Sequence, residues 1–131
     1  MLKGFGHVGM TVSNIDRALA FYVDLLGLKL VMRRQGPGGF DVCFLDAGGG
    51  AMLELFGPAT GALVAESLPQ GRAGLAHLTF NFDDVVATVT MLEAAGVEIT
   101  ERPRLAHNRD IAKKIAFCRD PDGISIELLE I

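Results

Sequence analysis

A chain of 131 residues, half of them hydrophobic, can bury one sizeable core and needs neither disulfides nor a structural metal to hold it. Sixteen acidic residues against twelve basic give a net charge of -4, with no basic cluster beyond Lys113-Lys114, so nucleic acid and anionic membrane surfaces are excluded as expected partners. No run approaches the roughly 20 apolar residues of a membrane helix, and "MLKGFGHVGMTV" lacks the unbroken apolar stretch of a signal peptide; a soluble cytoplasmic protein is expected.

In chain order, "GHVGMTV" alternates in character and predicts a first strand. Ser13 with Asp16 predicts a capping-box start to a helix whose apolar stripe is Ile15, Leu19, Tyr22 and Leu26 and whose stop is Gly27. Strands "LKLVMR", "FDVCFL" and "AMLELF" follow. The "GPGG" at 36–39 lacks the Lys and Ser/Thr of a phosphate loop and is a plain connection. "PQGRAG", 69–74, is the expected seam between a first module of about 1–68 and a second of about 74–131. The second opens with the strand "GLAHLTFNF", then a helix capped by Asp83 or Asp84, with Val86, Val89 and Leu92 as its stripe and Gly96 as its stop. "VEIT", "KIAFC" and "ISIELLE" are its remaining strands, the last entered through a "DPDG" turn. Between them "RLAHNRDIAKK", with His107 and Arg109, is a polar connection. Cys43 and Cys118 lie inside apolar strand runs, where reduced thiols act as small core hydrophobes.

The two halves are alike. "HVGMTVSNIDRALAFYVDLLGLKLV" from His7 runs beside "HLTFNFDDVVATVTMLEAAGVEIT" from His77, and "CFLDAGGGAMLELF" beside "AFCRDPDGISIELL", pairing Phe44 with Phe117 and Glu54 with Glu127. The offset is 70 at the histidines and 69 from Gly27 to Gly96, so one residue is missing from the second helix. Each half is a βαβββ unit that begins with a His and ends with a Glu. Together they predict an α+β fold, two tandem modules forming a cupped mixed sheet with helices on the outer face.

Strand side chains alternate between faces, which sorts each strand into two rows. Val8, Met10, Val12, Leu53, Leu55, Leu78, Phe80, Phe82, Ile124, Ile126 and Leu128 form an apolar row suited to packing beneath helices. His7, Glu54, His77 and Glu127 all fall in the opposite row. Two imidazoles and two carboxylates at matching places in duplicated units suit one divalent ion, whether zinc, nickel, cobalt, manganese or iron, with positions left open for substrate oxygens. Thr11, Thr79, Asn81 and Ser125 share that row and are candidates to hydrogen-bond the ligands.

Two βαβββ modules with His, Glu, His and Glu on their first and last strands resemble the vicinal oxygen chelate superfamily. The stretches "HVGMTVSNIDRALAFYVDLLGLKL", "GLAHLTFNFDDV" and "DPDGISIELLE" carry the likeness over essentially the whole chain. The resemblance implies a metal site at the same four residues. A complete His-Glu-His-Glu set is similar to glyoxalase I, whereas methylmalonyl-CoA epimerases typically carry Gln where this chain has Glu54, and bleomycin-binding members lack the metal residues. The resemblance also implies a small-molecule substrate with adjacent oxygens, and a homodimer. In both the lyase and epimerase branches the ion stabilises the anion left when a proton is taken next to a carbonyl, with Glu127 the first candidate for the base and Glu54 its partner.

Substrate recognition departs from the bacterial glyoxalase pattern. An Arg four residues after the first ligand and an Asn four after the second usually serve glutathione; Thr11 and Pro58 stand there instead. Loss of that Arg removes a charge-assisted partner that contributes roughly 1.5 to 3 kcal/mol. "ELFGP" and "RPRLAHNRDIAKKIAF" look like epimerase wording, while the doubled His common in epimerases is Ala76-His77 here. Lyase, epimerase and metal-free binding protein all stay open at this point. Thr11, Asn81 and Lys114 are the candidates for substrate contact.

Overall fold

The computed structural model describes residues 1–60, 71 and 73–131, and the chain divides into two compact units, Met1–Val64 and Ala65–Ile131. Of the expected seam at 69–74, residues 69, 70 and 72 lie outside the described residues.

Unit one contains β1 (His7–Thr11), α1 (Ile15–Leu19), β2 (Lys29–Gln35), β3 (Asp41–Asp46) and β4 (Met52–Gly57). Unit two contains β5 (Leu78–Phe82), α2 (Val85–Ala94), β6 (Ile99–Leu105), β7 (Lys114–Arg119) and β8 (Ser125–Glu130). Each builds its own four-stranded mixed sheet, in the order β1-β4-β3-β2 and β5-β8-β7-β6. In both, the first strand runs parallel to the last and the remaining pairs are antiparallel. The parallel pairing follows from the helical crossover between first and second strands, and the rest of each unit is a meander of antiparallel neighbours.

The first helix starts one residue later than Ser13. Asn14 has the extended backbone of an N-cap (φ -150°, ψ 116°) and its side chain accepts from Arg17 N at 2.9 Å. Asp16, the acid of the expected capping box, instead pairs with Arg33 of β2 at 2.9 Å, and Arg33 also holds buried Asp41 at 2.6 Å. These hydrogen bonds, the one donated to Asp41 foremost, raise the Arg33 pKa and keep it charged.

After Leu19 the helix continues as a π-turn over Ala20–Leu25, with Leu26 N donating to Phe21 O, five residues back. Such a bond absorbs one extra residue, which is the residue by which the first helix exceeds the second. Within the turn Phe21 and Tyr22 are both buried, alongside Ile15, Ala18 and Leu26 of the flanking residues. Gly27 and Gly96 end the two helices at φ 86° and 84°, a left-handed conformation that costs glycine least.

In unit two Asp84 is the cap, accepting from Ala87 N at 2.9 Å, while Glu130 at the end of β8 accepts from Val85 N at 3.1 Å. The buried stripe is Val85, Val89 and Leu92, with Val86 exposed, so the apolar face begins one residue before the expected Val86. Asp84→Ala is expected to lower stability by about 1 kcal/mol in urea unfolding, with Glu130 limiting the loss.

The core lies between helix and sheet in each unit. Val12, Cys43, Leu45, Leu53 and Leu55 fill it in the first, and Ala116, Cys118, Ile126 and Leu128 in the second. Both free cysteines are buried, as expected of core thiols. Burial pushes the Cys118 thiol up from an ordinary 9.0 to about 12 and Cys43 in the same direction. Between those limits the unfolded thiol of Cys118 has lost its proton and the folded one has kept it. Stability is then expected to fall with rising pH above about 9, by about 1.4 kcal/mol per pH unit for this group. Urea titrations at stepped pH check this, and Cys118→Ala should remove the slope it contributes.

β6 runs to Leu105, past the expected end at Thr100, because it is the last strand of its sheet and its register shifts on either side of Glu101. Pro103 is tolerated on such a bulged edge, where a missing N–H breaks no central ladder. Among the described residues no helix is long and apolar enough to cross a membrane.

Candidate metal centre

Register places the four candidate ligands on matching positions. In unit one Glu54 of β4 lies between Gly9 of β1 and Phe44 of β3; in unit two Glu127 of β8 lies between Thr79 of β5 and Phe117 of β7. His7 opens β1, and His77 stands immediately before β5, one residue short of the strand it was expected to occupy.

In each unit the imidazole faces the carboxylate. His7 Nε2 is 3.3 Å from Glu54 Oε2, and His77 Nε2 is 3.2 Å from Glu127 Oε2. An aromatic ring backs each histidine edge-on: Phe44 lies 5.3 Å from His7 and Phe117 lies 5.4 Å from His77, both at an interplanar angle of 81°. These contacts restrict ring rotation and leave Nε2 aimed at the carboxylate oxygen. The phenylalanines were visible as a repeated pair in the sequence; that they fix the imidazoles was not, because ring orientation is a property of packing across strands.

The donor sets fit a divalent cation. One borderline nitrogen and one hard oxygen, slightly more than 3 Å apart, have the spacing of two neighbouring ligands that each bond one ion at about 2.1 Å. Each unit brings one such pair together, and among the described residues no group of three or more His, Cys, Asp or Glu is gathered.

The pairs differ in exposure and in their hydrogen bonds. Glu54 is 24% exposed and Glu127 14%. Of the four polar candidates in this row, Thr79 reaches a ligand: its hydroxyl donates to Glu127 Oε2 at 2.6 Å. Thr11 and Asn81 are exposed on the same faces as Glu54 and Glu127, opposite Phe56 and Leu129. Lys114 lies on the other face of its sheet, 3.8 Å from Glu130.

The 102–114 segment is anchored on the Glu127 face. Ala106 and Ala112 pack with Ile115 against Phe117 and Leu129, while His107 and Arg109 stay exposed. Arg102 and Arg104 are engaged by Glu93 and Glu101.

A polar pocket of roughly 160 Å³ in unit one is lined by Ser13, Asn14, Asp16, Arg33, Asp41 and Pro58 among others, and includes none of the four candidate ligands.

Comparison with known proteins agrees with this architecture. Residues 4–128 match the family model of the Glyoxalase/Bleomycin resistance protein/Dioxygenase superfamily. The chain is 30% identical to the lactoylglutathione lyase of Haemophilus influenzae, over 95% of this chain and 90% of that protein. It is 30% identical to a glyoxalase family protein from Enterococcus faecalis, with a TM-score of 0.75 over 98% of both chains. Glyoxalase I of Leishmania major superposes with a TM-score of 0.68 at 25% identity, covering 95% of this chain and 84% of that one. With the family match spanning nearly all of it, the chain belongs to the Glyoxalase/Bleomycin resistance protein/Dioxygenase superfamily.

Proposed function

We propose that this protein is a divalent-metal-dependent lyase of the glyoxalase I type, with His7, Glu54, His77 and Glu127 as the ligands of one ion. The observation that carries the reading is the duplicated His–Glu pair, with donor atoms 3.3 and 3.2 Å apart and a phenylalanine edge behind each imidazole. Relatives called lactoylglutathione lyase that match nearly end to end support it. Glu54 favours the lyase over the epimerase branch, and a metal-free binding role leaves the duplicated pairs without a purpose.

A bound divalent ion would supply Lewis-acid stabilisation of the negative charge that develops on the substrate's adjacent oxygens. Glu127 takes the proton from the hemithioacetal carbon and returns it to the neighbouring former carbonyl carbon, while the hydroxyl proton passes from the hemithioacetal oxygen to the former carbonyl oxygen. The hemithioacetal thereby becomes a 2-hydroxy thioester, with no net change of atoms or electrons. Glu54 would supply the second carboxylate ligand without moving a proton, and His7 and His77 would hold the ion through nitrogen. Thr11 and Asn81, exposed on the faces of Glu54 and Glu127, are candidates to contact the rest of the substrate.

The thiol carrier is open to replacement. Thr11 stands where an Arg would grip a glutathione carboxylate, and the Leishmania major relative is described as trypanothione-dependent, so the thiol part of the substrate varies between relatives. A homodimer remains the proposed assembly, tested by light scattering. The deciding experiment is turnover of methylglyoxal hemithioacetals of several thiols, and of methylmalonyl-CoA, by protein reconstituted with zinc, nickel, cobalt, manganese or iron. Turnover of a hemithioacetal is expected. Epimerisation of the CoA ester alone moves the protein to the other branch, and failure to bind any of these ions overturns the metal reading.

A further inference from the structure

The two half-sites match in their histidine, their glutamate and their phenylalanine, and differ at the position paired with the glutamate. Across from Glu54 stands Gly9; across from Glu127 stands Thr79. At Gly9 a Cβ would come within 3.2 Å of Glu54 Oε2 and 3.3 Å of the Phe56 ring, so this position has no room to spare for a hydroxyl-bearing side chain. At Thr79 the room exists and is used: the hydroxyl donates to Glu127 Oε2 at 2.6 Å, on the same oxygen that faces His77 Nε2. Among the described residues Glu54 has His7 as its side-chain polar partner, whereas Glu127 has both His77 and Thr79.

We propose that Thr79 is a positioning residue that makes the two carboxylates inequivalent, fixing Glu127 through Oε2 and leaving its Oε1 directed for proton transfer, while Glu54 has no such tether. The inference rests on the reading of Glu127 as ligand and base, and deepens it by naming what orders that base. A hydroxyl bond of this length restricts rotation of the carboxylate. An ordered base matters because a misplacement of about 1 Å costs on the order of 100-fold in rate. Among the described residues no equivalent hydroxyl bond reaches Glu54, so the duplicated site handles its two carboxylates differently despite its repeated sequence.

The test compares Thr79→Val, which keeps shape and strand preference without the hydroxyl, with Thr79→Ser, which keeps the hydroxyl. Two quantities are read: cobalt affinity by competition with a chromophoric chelator, and kcat and KM on the hemithioacetal that the wild type turns over. Thr79→Val is expected to bind cobalt about 10-fold more weakly and to lose about 10-fold in kcat with KM little changed, and Thr79→Ser to restore both to within about threefold of wild type. A thermal midpoint for Thr79→Val close to wild type separates these losses from unfolding. Wild-type affinity and kcat in Thr79→Val, or equal losses in Thr79→Ser, overturn the role of Thr79 and leave the metal-lyase reading standing. A wild type that binds no cobalt overturns both. A wild type that binds cobalt but turns over no hemithioacetal overturns the lyase reading and the base-ordering role, with Thr79 then judged as a ligand-orienting residue by affinity alone.

Discussion

Glu127→Gln is expected to lower kcat by about a thousandfold, the middle of the range for removing a positioned general base. The substitution keeps the size of the side chain and one oxygen that accepts the Thr79 hydroxyl, so the strand pairing of β8 with β5 and β7 is preserved. An amide oxygen can still approach an ion, and the loss of metal affinity is therefore expected to be smaller than the loss of turnover. That split separates a base from a mere ligand, for which affinity and activity fall together. Glu54→Gln is the matched control: it alters the corresponding oxygen of the first pair and should cost less in kcat, since Glu54 moves no proton in this scheme. Steady-state kinetics at saturating metal measure both. Full activity in Glu127→Gln would remove it as the base, and a larger loss in Glu54→Gln would exchange the two roles.

Much of this arrangement is legible in the sequence because it is written twice. The alternation of strand residues separates Leu53 and Leu55 from Glu54, and Ile126 and Leu128 from Glu127, and the structure buries the former while leaving the latter partly open. The single-residue difference in helix length has a physical counterpart in the π-turn at Ala20–Leu25. Local details that depend on competition between partners are less legible. Ser13 and Asn14 are nearly equal as N-caps, and the choice of Asn14 goes with Asp16 being drawn to Arg33, seventeen residues away. The extension of β6 past Pro103 depends on that strand being an edge, which is a property of sheet order and not of the strand itself. Thr79 stood among four polar candidates in one row, and only the register of β5 against β8 puts its hydroxyl opposite Glu127.

His7→Ala and His77→Ala are each expected to weaken divalent-metal binding by at least about 100-fold, since loss of a direct ligand costs no less than loss of an outer partner that orients one. The two losses are expected to be similar, because the geometry is duplicated: 3.3 and 3.2 Å to the carboxylate, and 5.3 and 5.4 Å to the phenylalanine behind the ring. Neither side chain is a core element. His7 is 45% exposed and His77 38%, so unfolding free energies of the alanine variants should stay within about 0.5 kcal/mol of wild type. Chelator competition with cobalt or zinc measures the affinities. The double variant adds the sharper constraint. If both pairs hold one ion, each single variant leaves three donors on it, one imidazole and two carboxylates, and the effect of removing the second imidazole is coupled to the loss of the first. Independent, additive losses would mean two separate half-sites, each binding its own ion. Wild-type affinity in His7→Ala would remove His7 from the centre, leaving Glu54, His77 and Glu127 to bind without it.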